Sequence, residues 1–361
     1  MTAASMSGTL ANILRRQSHF VNNNLVWLLI ASYALAAVFP TLGLKIRQAS
    51  FGEAHILQEE ISFSVPVLML ALLLFNAGLG VQTTQLTRLM NRKAVLLIGF
   101  AANFVIPVTF IGMLSQVIRM WPDGGEAQSL LVGLALVAAM PIAGSSTAWS
   151  QLVNGDLALS VGLVLLTTFL SPVITPAILQ VVGLLSTDEY AHALKELASR
   201  GTGAFLWIGV VIPCALGVVT RQVVRASRVA LYVRHIKLLN AVIILLLNYS
   251  NASLSLPQIM ANPDPAFLLI TVILVAALCI TAFGSAFYLS RLLDVDHAQE
   301  ASLVYGLGMN NNGTGLVLAS LALAAFPRIM LPIIFYNLMQ HLVAAAVQFL
   351  RYRTTLHASE P

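Results

Sequence analysis

GLGMNNNGTG, residues 306–315, places three asparagines and four glycines inside a long apolar run, with SLVY directly before it and LVLASLALAAF directly after it. Asn and Gly are poor helix formers, and an unsatisfied amide in hydrocarbon costs several kcal/mol. Such a string is tolerated at membrane depth when it is buried in protein or lines a wet cavity. The stretch therefore reads as a break in a membrane helix. Gly306, Gly308, Gly313 and Gly315 permit unwinding, and Asn310, Asn311 and Asn312 supply carbonyl oxygens and amide donors.

Composition establishes the membrane. Of the 361 residues, 58% are hydrophobic and 9% charged, with a mean hydropathy of +0.86; soluble domains carry roughly 25% charged residues. A spanning helix needs about 20 mostly apolar residues. Ten stretches qualify: 25–44, 61–80, 94–118, 127–153, 157–183, 203–220, 238–256, 266–290, 301–326 and 329–350. None contains Lys, Arg, Asp or Glu. The expected fold class is an all-α membrane protein with ten transmembrane helices. The net charge of +5 is read as topological and not as a nucleic-acid footprint. Cys214 and Cys279 lie in different apolar stretches, with no disulfide framework and no metal motif. Residues 1–24 lack the apolar core of a signal peptide, so the first span itself is expected to direct insertion.

Lys and Arg set the orientation. Thirteen fall on the side of the N-terminus: Arg15, Arg16, Arg88, Arg92, Lys93, Arg221, Arg225, Arg228, Arg234, Lys237, Arg291, Arg351 and Arg353. Six fall on the other: Lys45, Arg47, Arg119, Lys195, Arg200 and Arg328. Both termini are therefore expected in the cytoplasm, with the chain in the cytoplasmic (inner) membrane. The expected organisation is a cytoplasmic segment 1–24, a first five-helix repeat 25–183, an external linker 184–202, a second five-helix repeat 203–350 and a cytoplasmic tail 351–361.

A weak internal repeat supports the division into five and five. FNAGLGVQTTQLTRLMNRKAVLLI (75–98) aligns without a gap on LNYSNASLSLPQIMANPDPAFLLI (247–270), placing Asn76 on Asn248 and Ala94 on Ala266. Units with an odd number of spans must run in opposite directions, which is the inverted repeat of secondary transporters. The fourth span of the first half carries its own break, MPIAGSSTAWSQ (140–151). There Pro141 removes a backbone donor, Gly144 loosens the helix, and Ser145, Ser146 and Thr147 offer hydroxyls. Two breaks at equivalent positions predict crossed discontinuous helices. A Gly- and Ser-rich helix contact would account well for one break and less well for the pair.

At these residues the chain resembles the bile acid:sodium symporter family and its bacterial relatives. MPIAGSSTAWSQLVNGDLALSVGLVLLTTFLSPVITP (140–176), YGLGMNNNGTGLVLA (305–319) and FNAGLGVQTTQLTRL (75–89) carry the resemblance. It implies a panel domain (first, second, sixth and seventh helices) and a core domain (the rest), with the fourth and ninth helices crossing in the core. It implies two sodium ions behind the crossing and an organic anion between the domains. By position, the first sodium site would use Ser146, Thr147 and Ser160. The second would use Asn103, Asn310 and the carbonyls of Leu307 and Met309. Asn311, Asn312, Ser145 and Asn76 would face the substrate. The chain departs from the family at Thr147, where Asn is usual, at Asn103 and Asn310, where Gln is usual, and at Gly306, where sodium-coupled members have Glu. A weakened ion site is the consequence.

The function expected is alternating-access transport of a small organic anion, with sodium as the candidate coupling ion and no organic cofactor. The alternatives are a sodium-independent carrier and a membrane sensor. An intramembrane enzyme needs paired acids, a nucleophile–base pair or a metal cluster, and the spans offer no acid and one histidine, His341. An imidazole bonded near Asn337 or Gln340 is the plainer reading of His341, although an ionisable group in a span is a functional suspect by default. Asp156 is read as the cap of the fifth helix. No nucleic acid is expected as a partner, and the protein is expected to be a monomer or weak dimer in the bilayer.

Overall fold

The computed structural model describes residues 24–56, 59–82, 93–118, 120–121, 123–199, 201–224 and 226–351. Arg15, Arg16, Arg88, Arg92, Arg119, Arg200, Arg225 and Arg353, the segment 1–23 and the tail beyond Arg351 lie outside the described residues.

Helix α1 (Leu25–Val38) and helix α2 (Pro40–Gln48) meet at an angle of 92°. The expected first span is therefore bent. Pro40 cannot donate to the preceding turn, and a residue before proline is pushed out of helical geometry; Phe39 accordingly sits at φ −125°, ψ 67°. Strands β1 (Ser50–Ile56) and β2 (Glu59–Ser64) form an antiparallel hairpin. The chain is thus not all-α, and the second apolar stretch starts as strand, with helix α3 (Val65–Leu79) following. ISFS at 61–64 has the β-branched and aromatic alternation of a strand, which the length of the apolar run concealed.

Helices α4 (Lys93–Ile118), α5 (Gly124–Ala139), α6 (Ser145–Leu152), α7 (Leu157–Gly183) and α8 (Asp188–Ser199) come next. Helix α9 (Thr202–Val223) contains a π-helical turn at Trp207–Val211. Helices α10 (Ala226–Ala261), α11 (Pro265–Leu292), α12 (His297–Gly308), α13 (Asn312–Ala322) and α14 (Met330–Arg351) complete the chain. Among the described residues, six helices are long and apolar enough to cross a bilayer, and the bent α1–α2 pair makes a seventh if it is one span. α3, α5 and α13 are shorter apolar helices.

Helix starts follow side-chain caps. Asp123, Asp156, Asp264 and Asp296 each accept backbone N–H bonds in the first turn of α5, α7, α11 and α12. Asp264 lies between two spans, and the Phe267 N–H foremost holds its carboxyl below the usual range. Asp156 caps α7 as its position predicts, accepting from Ala158 N at 3.0 Å and Leu159 N at 3.1 Å. Asp156→Ala should cost about 1 kcal/mol of stability and leave ligand affinity unchanged. Chemical denaturation checks this; an unchanged midpoint with weakened cation binding would make Asp156 an ion ligand instead.

α5 and α12 are buried almost all round. A helix apolar on every side belongs at the centre of a bundle. α4 and α11 keep large apolar residues exposed, among them Leu97, Val105, Leu269 and Ile280, as faces turned to lipid do. α3 and α9 touch backbone to backbone: a Cβ on Gly78 would overlap the Cys214 carbonyl, and one on Gly217 the Phe75 carbonyl. Small residues permit this approach between membrane helices.

Candidate functional site

The two breaks meet. Residues 140–143 leave helical geometry because Pro141 has no N–H and Met140 before it is extended, at φ −79°, ψ 146°. Residues 309–311 do so at Met309, φ −125°, ψ 110°. The two short extended segments pair antiparallel, with Ile142 opposite Asn310. Ala143 N donates to Met309 O at 2.8 Å and Asn311 N to Pro141 O at 2.8 Å. Backbone groups released by breaking two helices in an apolar interior thus satisfy one another.

Each break is held by the helix that follows it. Thr167 on α7 accepts from Ile142 N at 3.1 Å, and Gln340 on α14 accepts from Asn310 N at 3.0 Å. Thr175 on α7 donates to Ala139 O at 2.6 Å, and Tyr336 on α14 donates to Gly308 O at 3.2 Å. The same scaffold appears twice with different side chains.

Around the crossing lie the residues assigned to the first ion. Ser146 is fully buried, and its hydroxyl has no partner among the described residues. Ser160 on α7 donates to Thr147 Oγ1 on α6 at 3.2 Å, so these two are brought together. Of the second set, Asn103 on α4 is 1% exposed with neither amide atom bonded among the described residues. Asn310 donates through Nδ2 to Val137 O at 2.9 Å, and its Oδ1 is unpartnered. Leu307 is buried in the last turns of α12. The Met309 carbonyl already serves the bridge and has one lone pair left. Orphaned buried oxygens cost about 1–3 kcal/mol each, and a small cation would relieve that cost; the donor set of neutral hydroxyl and amide oxygens fits a hard ion. Among the described residues no group of three His, Cys, Asp or Glu side chains is placed to hold a metal.

The residues assigned to substrate divide. Ser145 is half-buried at the start of α6, and Asn311 caps α13 by accepting from Thr314 N at 3.3 Å. Asn312 donates to Asn310 O at 3.0 Å and to Gln340 Oε1 at 3.1 Å, leaving Oδ1 unpartnered. Asn76 does not join them. It donates to Asn240 Oδ1 on α10 at 2.6 Å. Its neighbour Ala77 is the residue at the crossing: a Cβ on Gly144 would stand 3.9 Å from Ala77 Cβ, and one on Gly313 3.8 Å from Leu247 Cδ2. α3 and α10 thus face the starts of α6 and α13.

Sequence reasoning missed a polar chain beside the crossing. Gln340 Nε2 donates to Asn337 Oδ1 at 3.4 Å, and Asn337 Nδ2 to Tyr33 Oη at 2.9 Å. Tyr33 donates to Asn248 Oδ1 at 3.0 Å. Asn337 and Gln340 stand at i and i+3 in an apolar span, which was the signal available. His341 is bonded to neither; its Nδ1 accepts from Trp149 Nε1 at 3.4 Å.

A multi-pass bundle built round two broken helices joined through their backbones is the architecture of a membrane transporter. A sequence profile of the Sodium Bile acid symporter family matches residues 67–262, more than half of the chain, and the chain belongs to that family. It is similar to the uncharacterized sodium-dependent transporter YocS of Bacillus subtilis (strain 168), 23% identical over 86% of this chain and 85% of the relative. It is also similar to the uncharacterized protein YbaS of the same organism, 25% identical over 63% of this chain and 70% of that protein. The chain is accordingly a transport protein of the membrane and not an enzyme.

Proposed function

We propose that this protein is an alternating-access secondary transporter that carries a small organic anion, with sodium bound weakly behind the crossing. The observation that carries this reading is the backbone bridge Ile142–Asn310 with the unpartnered oxygens of Asn103, Ser146 and Asn310. Carbonyls and amide oxygens there suit a cation, and the N-terminal ends of α6 and α13 favour an anion. A name carrying "sodium-dependent transporter" among its relatives points the same way.

The protein spans the cytoplasmic membrane ten times, as two inverted five-helix units forming panel and core, with both termini in the cytoplasm. Contacts between loops support this count. Asp156 N bonds Ala298 O at 2.8 Å, and Glu300 pairs with Arg351, as expected if the 4–5 and 8–9 connections and the end of α14 share one face. Trp121 and Arg328 both bond Glu126, as expected if the 3–4 and 9–10 connections share the other face. A maleimide that cannot cross membranes should label Glu196→Cys in intact cells and spare Gln222→Cys; the reverse pattern overturns the orientation. Counterflow of labelled carboxylates and sulfonates in proteoliposomes tests the transport reading. Binding of such an anion without any exchange would instead identify a sensor.

A further inference from the structure

The sites proposed above leave His341 unused. It is 6% exposed, and among the described residues its one hydrogen bond is the 3.4 Å contact to Trp149. Trp149 lies on α6, the half-helix that carries Ser146 and Thr147, and its ring stacks on Tyr305 with centroids 6.0 Å apart. A ring nitrogen that accepts a hydrogen bond carries no proton, and an indole N–H can only donate. His341 is therefore neutral in this arrangement, with its proton on Nε2. A second proton must enter at Nδ1, where two N–H groups would then point at one another. Trp149, and α6 with it, has to withdraw first.

We propose that His341 is a proton-binding site whose occupancy excludes the position of α6 shown here, so that proton binding and cation binding at Ser146 and Thr147 oppose each other. The proton comes from water to Nδ1, and the bond that breaks is Trp149 Nε1–H···Nδ1. Among the described residues, no other titratable side chain bonds His341 or Trp149; His297 on α12 stands instead 3.7 Å from Glu300. α6 and α13 carry no titratable side chain. Glu126 on α5 is held by Arg328 at 2.9 Å and Glu300 on α12 by Arg351 at 3.4 Å. Those arginines lie 13 and 10 residues along the chain from His341, about 20 and 15 Å of helix. Tyr33 on α1, Tyr305 on α12 and Cys279 on α11 are uncharged at neutral pH by their ordinary values. The opposition is reciprocal: whatever fixes α6 disfavours the proton by the same factor. Only this second half rests on the cation site proposed above.

The test is thermal unfolding of the purified protein in lipid nanodiscs between pH 8 and 5.5, first without sodium or substrate. A base kept neutral when folded and free to charge when unfolded loses stability as pH falls through its ordinary range. The native protein should therefore lose on the order of 2–4 °C more than His341→Gln on acidification. Trp149→Phe keeps the ring on Tyr305 and removes the opposing donor. It should be less stable at pH 8 yet lose less on acidification than the native protein. Parallel curves for all three overturn the proton site, and if His341→Gln does not fold, the Trp149→Phe comparison decides alone. Repeating the series in sodium against choline separates the two halves. Sodium should deepen the acid loss of the native protein, because it holds the folded state in the arrangement that excludes the proton; no effect, with the His341→Gln difference intact, keeps the proton site and removes its opposition to a cation.

Discussion

Asn310→Leu should abolish uptake while the protein remains inserted and folded. The substitution keeps the branched shape and heavy-atom count of the side chain and replaces its two polar atoms by methyl groups. Its backbone N–H still reaches Gln340. Val137 O loses its donor, which costs about 1–3 kcal/mol. The unpartnered Oδ1 is lost as a ligand outright. Ser146→Leu should act in the same way from the facing half-helix, through a hydroxyl with no bond to lose among the described residues. Leu165→Ala is the control. It is 9% exposed, and its truncation costs about 2–5 kcal/mol, at least as much stability as either variant, without touching a polar atom. If uptake follows stability, all three fall together. If it follows the oxygens at the crossing, Leu165→Ala transports and the other two do not. Normal uptake by both Ser146→Leu and Asn310→Leu would remove the site from this crossing.

The parts of the molecule legible in sequence are those where one strong rule acts alone. Apolar runs without charges located the long helices because nothing but a membrane asks for them. Pro141 and the Asn–Gly string located the breaks because no continuous helix accommodates them at low cost. The same rule misled at 61–64, where an apolar count could not tell strand from helix. It also misled at Phe39–Pro40, where length alone suggested one straight span. That the two breaks pair through their backbones was not legible, since pairing is a property of two segments 170 residues apart in their anchors. Thr167 and Gln340 stand in comparable places and share no residue type, so the repeat of the scaffold left no repeat in the letters.

The ion residues were carried over by resemblance, and their surroundings separate them. Among the described residues, Ser146, Asn103 and Asn310 of the ion set hold buried oxygens with no partner, whereas Asn76, assigned to the substrate, has its amide engaged on α10. A polar residue in an apolar span is visible in sequence; whether a neighbouring helix already satisfies it is not. The network from Gln340 through Asn337 and Tyr33 to Asn248 is the complement of that lesson. Each member alone looks like an ordinary buried amide or phenol, and only their contact shows the crossing tied to α1 and α10.

The unmutated protein should bind sodium weakly in the absence of substrate, and Gly306→Glu should strengthen that binding. A shared carboxylate puts a full opposite charge beside the ion. At about 4 Å and an effective dielectric of 20 such a pair interacts by roughly 4 kcal/mol before the carboxylate's own desolvation. A net gain of about 1.4 kcal/mol is tenfold in affinity. Gly306 lies within α12 and is not among the glycines with positive φ, so the backbone accepts a side chain there. The space is less open: a Cβ would stand 3.2 Å from Leu163 Cδ1 and 3.8 Å from Ile142 Cδ1. Leu163, fully buried on α7, must yield a few tenths of an ångström, and overpacking of this kind costs about 1–3 kcal/mol. Gly306→Glu alone should therefore gain affinity and lose stability, and adding Leu163→Ala, which makes room but removes about 2–5 kcal/mol of packing, should keep the gain in affinity. Gly306→Gln, of the same size but uncharged, should lose stability without the gain. Calorimetric sodium titrations of the four proteins decide between charge and shape. Tight sodium binding by the unmutated chain without substrate would mean that neutral oxygens suffice and that the ion sits on ligands other than Ser146, Thr147, Ser160, Asn103 and Asn310.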